Sequence, residues 1–346
     1  MQIHVARSEL ADMPVDAVVS PANSHGIMAG SVAEGLKARG GQAIDSFLEA
    51  PVFDAHGNLF VGDIPNGRVF RIDPRGEWEL VAQYEGEPNG MKFASDGEIV
   101  IADYRNGLMA LDVARGTVRE WLGRRNTERF KGVNDLVFDA RGNLYFTDQG
   151  QTGLHDPTGR VYRLRTDGRL DLLLANVPSP NGIAVSADAK ALFVAVTRAN
   201  AVWRGPLQAD GSTSKVGAFR TFFGPSGPDG LALDAAGNLV VAHASCGGAF
   251  VVNPRGEVTH FVKSPAGHTV TNVAYRPGTS TLVRAQGTFL DDREIEKVVG
   301  VLEDEPCFAQ ELMQLRTDGS SGEGGVLGAV RARDDDMYEA AIEIVI

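Results

Sequence analysis

Apolar and polar positions alternate in short runs along most of this chain, and the runs recur. Six times a polar residue opens a strand-like run that ends four positions later on an apolar side chain. The runs are Glu49-Ala-Pro-Val-Phe53, Asn89-Gly-Met-Lys-Phe93, Asn134-Asp-Leu-Val-Phe138, Asn181-Gly-Ile-Ala-Val185, Asp229-Gly-Leu-Ala-Leu233 and Thr271-Asn-Val-Ala-Tyr275. Alternation of this length marks half-buried strands. In several repeats a turn follows, as in Asp54-Ala-His-Gly-Asn, Asp139-Ala-Arg-Gly-Asn and Asp234-Ala-Ala-Gly-Asn, and then a second strand. A second hairpin recurs too, at Asn66-Gly-Arg-Val-Phe-Arg-Ile, Asn106-Gly-Leu-Met-Ala-Leu and Thr158-Gly-Arg-Val-Tyr-Arg-Leu. Two hairpins per repeat make a four-stranded unit.

The turn glycines set the period: 40 residues from Gly57 to Gly97, 45 from Gly97 to Gly142, and 41 from Gly237 to Gly278. Repeats of roughly 40 to 50 residues with several short strands each are propeller blades. The pattern therefore predicts an all-β fold, a six-bladed β-propeller over residues 46–283. A short α/β N-terminal extension (1–45) and an α-helical, acidic C-terminal tail (284–346) flank it. Such a repeat places the same position of every unit around one axis. Glu49, Asn89, Asn134, Asn181, Asp229 and Thr271 are then expected to face a common centre.

Composition narrows the setting. The net charge is −12, and the segment from Arg284 to Ile346 carries 15 acidic and 6 basic residues, so the propeller itself is close to neutral. An acidic tail argues against binding a phosphate backbone, so no nucleic-acid partner is expected. No apolar run approaches the ~20 residues that span a membrane, and the first residues lack the apolar stretch of a secretory signal. Two cysteines, Cys246 and Cys307, make no disulfide framework. A cytoplasmic location is expected on these grounds.

The central ring brings together two carboxylates and several amide oxygens, with no histidine or cysteine pattern among them. That is a hard oxygen donor set suited to one divalent cation, calcium first, with magnesium, manganese or zinc as alternatives. Asp148, in Tyr-Phe-Thr-Asp-Gln-Gly, either lines the pocket or caps a turn. His155 and His243 are expected at the rim or in satisfied loops. Cys246 is expected as a small buried residue, since no paired base is evident.

Four segments each open an inner strand: Leu48-Glu-Ala-Pro-Val-Phe, Gly132-Val-Asn-Asp-Leu-Val-Phe, Ser179-Pro-Asn-Gly-Ile-Ala-Val and Gly227-Pro-Asp-Gly-Leu-Ala-Leu. Together, at blade spacing, they resemble the senescence-marker-protein/gluconolactonase family, six-bladed propellers that hydrolyse sugar lactones with a divalent metal. The resemblance implies that Glu49, Asn181 and Asp229 bind the metal and that Asn134 contacts substrate or completes the metal shell. Asn89 and Asp148 join Asn134 as substrate-binding candidates, and Asp229 is the candidate general base. The expected partner is a small lactone. An aryl ester or phosphotriester at the same site, a non-catalytic scaffold, and an inactive chimera remain as alternatives.

The two ends depart from the repeat. Asp16-Ala-Val-Val-Ser-Pro-Ala-Asn-Ser, with Gly26 and Gly30, resembles the opening of macro domains, which bind ADP-ribose, but the second phosphate loop of that family is missing. The stretch from Gln286 through Val299, with the final helix from Asp334, resembles the junction before the winged helix of septal DNA translocases. No motor motif accompanies it, so no translocase activity is implied. After Val283 the second hairpin of the last blade is not evident. Either a strand from residues 1–45 completes that blade or it stays incomplete.

Overall fold

The computed structural model describes residues 48–264, 269–275 and 282–283. The extension at 1–45, the tail from 284 onward and their macro-domain and translocase resemblances lie outside the described residues. Among the described residues are five four-stranded antiparallel sheets, each in simple meander order, and two two-stranded sheets, Arg124–Arg125 with Glu128–Arg129 and Ala274–Tyr275 with Leu282–Val283. The expectation of six complete blades is corrected to five plus a two-stranded sixth, Ala274–Tyr275 paired with Leu282–Val283. No helix among the described residues is long and apolar enough to cross a membrane.

The first blade is built from Leu48–Phe53, Leu59–Asp63, Arg68–Ile72 and Trp78–Gln83. The second comprises Pro88–Phe93, Ile99–Asp103, Gly107–Asp112 and Thr117–Leu122, and the third Val133–Phe138, Leu144–Asp148, Gly159–Leu164 and Leu170–Val177. In the fourth the strands are Pro180–Val185, Ala191–Val196, Ala201–Pro206 and Gly217–Thr221. The fifth contains Pro228–Leu233, Leu239–His243, Gly248–Val252 and Val258–Lys263. First strands of successive blades pack against one another, and the sixth unit's Ala274–Tyr275 packs against Leu48–Phe53. The first strands thus form the inner ring of a propeller.

Apolar side chains fill the wedges between blades. Phe60, Val69, Met91, Ile99 and Ile101 pack between the first two blades, with Phe60 and Phe93 edge to face. Leu108, Leu136, Phe146 and Tyr162 fill the next wedge, and Tyr145, Ile183, Val194 and Leu207 the one after. Both faces of each middle strand are therefore covered. This explains why those strands read as apolar runs, such as Ile99-Val-Ile-Ala, while the outer strands remain polar.

The Asp-x-x-Gly-Asn turns are self-contained. Asp54 Oδ1 accepts the backbone N–H of His56 and Asn58, each at 2.8 Å, and Asn58 Nδ2 donates to Asp54 Oδ2 at 2.6 Å. Asp139 and Asp234 repeat the pattern with Asn143 and Asn238. The glycine in each turn sits at φ 81–84°, which a residue with a Cβ rarely adopts.

The glycines that follow the ring residues have another purpose. A Cβ at Gly182 would lie 2.2 Å from the Asp229 carbonyl oxygen and 2.8 Å from Gly230 Cα. At Gly230 it would meet Asn272 Oδ1 at 2.3 Å, and at Gly90 it would meet Asp135 Cα at 2.7 Å. Pro-Asn-Gly and Pro-Asp-Gly, ordinary turn formers elsewhere, here lie within strands. Their glycines let adjacent inner strands approach closely around the axis.

The last residue of each second strand recurs as well. Asp63, Asp103 and Asp148 are completely buried there, and His243 occupies the same place in the fifth blade. Asp103 Oδ2 accepts from the Tyr84 hydroxyl at 2.7 Å and from Glu87 N at 2.8 Å, tying the blade to the incoming loop. His243 accepts from Ser245 N at Nδ1 (3.4 Å), which leaves Nε2–H facing Asn200 Oδ1 at 3.2 Å.

Two predictions follow from these packings. Gly182→Ala should cost about 1–3 kcal/mol in urea unfolding, as overpacking does. Gly217→Ala, where a Cβ meets nothing within 4 Å, should be near neutral. Burial lowers the His243 imidazole to about 4, from its ordinary 6.5. Between those values the unfolded chain binds the extra proton, so stability rises with pH across the window and is lost as pH falls through it. The pH dependence of the urea midpoint between 4 and 6.5 should therefore be shallower in His243→Gln.

Candidate active site at the propeller axis

Every complete blade has a register shift at the start of its inner strand. The shift falls between Glu49 and Val52, Pro88 and Gly90, Val133 and Leu136, Pro180 and Ile183, and Pro228 and Leu231. A bulge unpairs one or two residues and re-aims their side chains. Asn89, Asn134, Asn181 and Asp229 fall at these bulges, while Glu49 is still paired with Gly62 and stands immediately before the unpaired Ala50 and Pro51. The recurrent polar position of the repeat is thus a recurrent bulge. Ala50 has φ 58°, an unusual value for a residue with a Cβ, at the first of these bulges.

The structure brings Glu49, Asn181 and Asp229 together electrostatically. The Asn181 side chain acts on the Asp229 carboxyl in the sense that favours its charge. Burial, and then the Glu49 charge, push the Asp229 carboxyl well above its ordinary range, with the Asp135 charge adding to the effect. Glu49 is raised to about 7, chiefly by burial, against which hydrogen bonds from Thr271 and Asn272 act. Asn272 Nδ2 donates to Glu49 Oε2 at 3.2 Å. The sixth unit therefore reaches the ring through two adjacent residues, of which the repeat pattern had singled out Thr271.

Asp135 was not singled out by sequence reasoning. Its side chain is only 6 % exposed, and burial raises its carboxyl while the Lys92 charge acts in the opposite direction. Oδ1 accepts from Leu136 N at 2.8 Å and Oδ2 from Ile183 N at 3.3 Å, so it bridges the third and fourth inner strands. Asp135 N donates to Thr147 Oγ1 at 3.0 Å, and Thr147 Oγ1 donates to the Asn181 carbonyl at 2.7 Å. A signal was present in the sequence: the third repeat has Asp where the second, fourth and fifth have Gly.

The remaining candidates divide. Asn134 is buried, and its Nδ2 donates to Gln149 Oε1 at 3.0 Å, while Gln149 Nε2 donates to Ser179 Oγ at 2.9 Å. Its amide is therefore oriented by a side-chain relay. Asn89 is half-buried on the second bulge. Asp148 is tied into the start of the third inner strand. Its Oδ1 accepts from Lys131 N at 2.6 Å and Gly132 N at 2.9 Å, and its Oδ2 accepts from Arg160 Nε at 2.8 Å. Those bonds engage both carboxylate oxygens, and the matching places of Asp63 and Asp103 show the same architectural use. Of the two alternatives raised by its sequence, pocket lining or turn capping, the bonding pattern is that of a tie. His155 is exposed in the loop that follows, and His243 is the buried tie of the fifth blade. Cys246 is half-buried, with Sγ 3.6 Å from the Phe223 carbonyl.

The chemistry of the donor set is consistent with a cation. Glu49 and Asp229 place two oxygen acids where each penalises the other's charge, and Asn181 adds an amide oxygen. Among the described residues no three His, Cys, Asp or Glu side chains converge as a ready metal cluster, so a cation here would depend on the asparagine oxygen. Burial that opposes ionisation of two neighbouring acids is relieved when a cation shares them.

Known proteins share this arrangement of strands. Lactonase drp35 of Staphylococcus aureus is 31% identical over 254 residues, covering 68% of this chain and 77% of that protein. The structure of a gluconolactonase from Xanthomonas campestris superposes with a TM-score of 0.60 at 24% identity, covering 66% of this chain and 80% of the other. A calcium-binding protein, regucalcin, from Agrobacterium tumefaciens superposes with a TM-score of 0.58 at 22% identity, covering 72% and 86%. At those identities the two structures speak for the fold alone. Residues 47–283 match the model of the SMP-30/gluconolactonase/LRE-like region. With the bulged polar ring and this match over most of its length, the chain belongs to the SMP-30/gluconolactonase/LRE-like family.

Proposed function

We propose that this protein hydrolyses a small lactone, of the sugar-lactone type, at the axis of the propeller, with Glu49, Asn181 and Asp229 holding a divalent cation. What supports the proposal is the electrostatic coupling at the axis, where burial and then Glu49 oppose the charge of Asp229 and the Asn181 side chain favours it. The lactonase relatives in Staphylococcus supply the reaction class. Calcium is the favoured ion, on the hardness of the donors and the calcium-binding neighbour. When bound, a divalent cation there would supply Lewis-acid polarisation of the ester carbonyl.

The chain's own residues do the rest. Asp229, the ring carboxylate of the fifth blade, is the candidate base for taking a proton from an attacking water. Asn134, held by Gln149, presents its amide to the substrate from the third blade, and Asn89 does so from the second. Asp135 pins the third inner strand to the fourth and so fixes where Asn181 stands. These contacts are fixed before substrate arrives, as electrostatic preorganisation requires.

The decisive assay is acid release from a panel of aldonolactones in a pH-stat, with and without chelator. Turnover should disappear with chelator and return with calcium. Acid release unaffected by thorough chelation would refute the cation's part, and no release from any lactone would refute the hydrolysis. Asp229→Asn should lower kcat by at least about 100-fold, in line with loss of a general base. The same substitution removes a buried charge that Glu49 opposes. In chelator at pH 8 the variant should therefore melt a few degrees higher than the parent, on the order of 4 °C. A lower melting point would show that the Asp229 carboxylate stabilises the metal-free fold.

A further inference from the structure

Away from the axis, a groove of about 790 Å³ runs along the outer edge of the third blade beside the Leu207–Ser214 loop of the fourth. Arg125, Arg163, Arg165 and Arg169 line it, with Asp171 and Asp210 as its acids. Three of the four guanidinium groups converge on one carboxylate. Arg163 Nη2 and Arg165 Nε each donate to Asp171 Oδ2 at 2.6 Å, and Arg169 Nε lies 3.0 Å from Asp171 Oδ1. Arg163 and Arg165 also donate to the Asp210 backbone carbonyl, at 3.1 and 3.3 Å.

The charges do not balance. Four arginines against Asp171 and Asp210 leave a local excess of +2 (4 − 2), on a chain whose overall charge is −12. A single carboxylate with both oxygens already engaged cannot neutralise three guanidinium groups held around it. Their mutual repulsion is a standing cost that a second anion would relieve. The donors for that anion are in place. Arg163 and Asp171 are almost wholly buried, with side chains 7% and 13% exposed, and form a fixed floor. Arg165 is 29% and Arg169 68% exposed. Arg165 has spent only Nε and one Nη2 bond, and Arg169 only Nε. Each guanidinium keeps N–H groups that no hydrogen bond engages, and such groups take phosphate oxygens well.

We propose that this groove is an oxyanion-binding site that takes the phosphate group of a small phosphorylated molecule, separate from the axial site and independent of the lactone reaction. An excess of two positive charges matches a doubly charged phosphate better than a single carboxylate. The half-buried Leu173, on the side of its strand that faces the fourth blade, gives an apolar wall for the body that carries it.

The test is calorimetric titration of the full chain at low salt with inorganic phosphate and with pyrophosphate. It is repeated on Arg165→Gln/Arg169→Gln, a pair exposed enough to leave the buried Arg163–Asp171 floor intact. Saturable binding to the parent is expected, weakened at least about tenfold in the double variant, or ~1.4 kcal/mol. Binding should also weaken as salt rises from 0.05 to about 0.5 M, by screening. Asp171→Asn, which removes the internal competitor, should bind the anion more tightly than the parent. Lactone turnover should be unaltered in the double variant. No saturable heat with either anion, equal affinity in parent and double variant, or weaker binding in Asp171→Asn would each overturn the site.

Discussion

The approach of the inner strands to one another around the axis is the constraint on which this molecule depends. A propeller can gather side chains from distant blades only if its first strands come nearly into backbone contact. Gly90, Gly182 and Gly230 allow this, because a Cβ at each would collide with the next strand or its side chain. The same approach unpairs the bulge residues and points them inward. Packing and chemistry are therefore one feature: the residue before each of these glycines is the residue of the site. Where the third repeat has Asp135 instead, the freed volume holds a carboxylate that bonds across to Ile183 N.

That geometry has an electrostatic cost. Glu49, Asp135 and Asp229 are three acids in one neighbourhood, with the Lys92 charge acting on Asp135 and the Arg198 charge on Asp229. A site that raises its own carboxylates is strained relative to a neutral core, and strain of this kind collects where function does. The buried Asp103 and Asp148 accept several backbone and side-chain hydrogen bonds each, although burial still raises the Asp148 carboxyl against them.

Much of the fold was legible because it is periodic. The Asp-x-x-Gly-Asn turns announce themselves through a local mechanism, a side chain bonding its own loop, and apolar middle strands report the wedges they fill. Glu49, Asn181 and Asp229 could be picked out because they occupy one column of the repeat. Bulges were not legible, since a register shift is a relation between strands and leaves no mark on either one alone. Asp148 was ambiguous for the same reason: its partners, Lys131 N and Arg160, are distant in sequence and become visible only when the strands pair. The arginine groove joins the third blade to a loop of the fourth, and no short window of sequence contains both. The sixth unit faded in the sequence after Val283.

The hydrogen bond from Asn272 to Glu49 spans 223 residues, whereas each blade's own pairings are between neighbours in the chain. Meander hairpins with self-bonded turns can form early and locally, each closing a loop of a few residues at small entropic expense. Joining the two ends of the ring is a different event, one long loop closed once, after the blades have stacked. The residue that marks this last contact is also a member of the site. Competence at the axis therefore arrives with circular closure, and a chain whose blades are formed but whose ends have not met would possess the wedges between consecutive blades and still lack a finished centre.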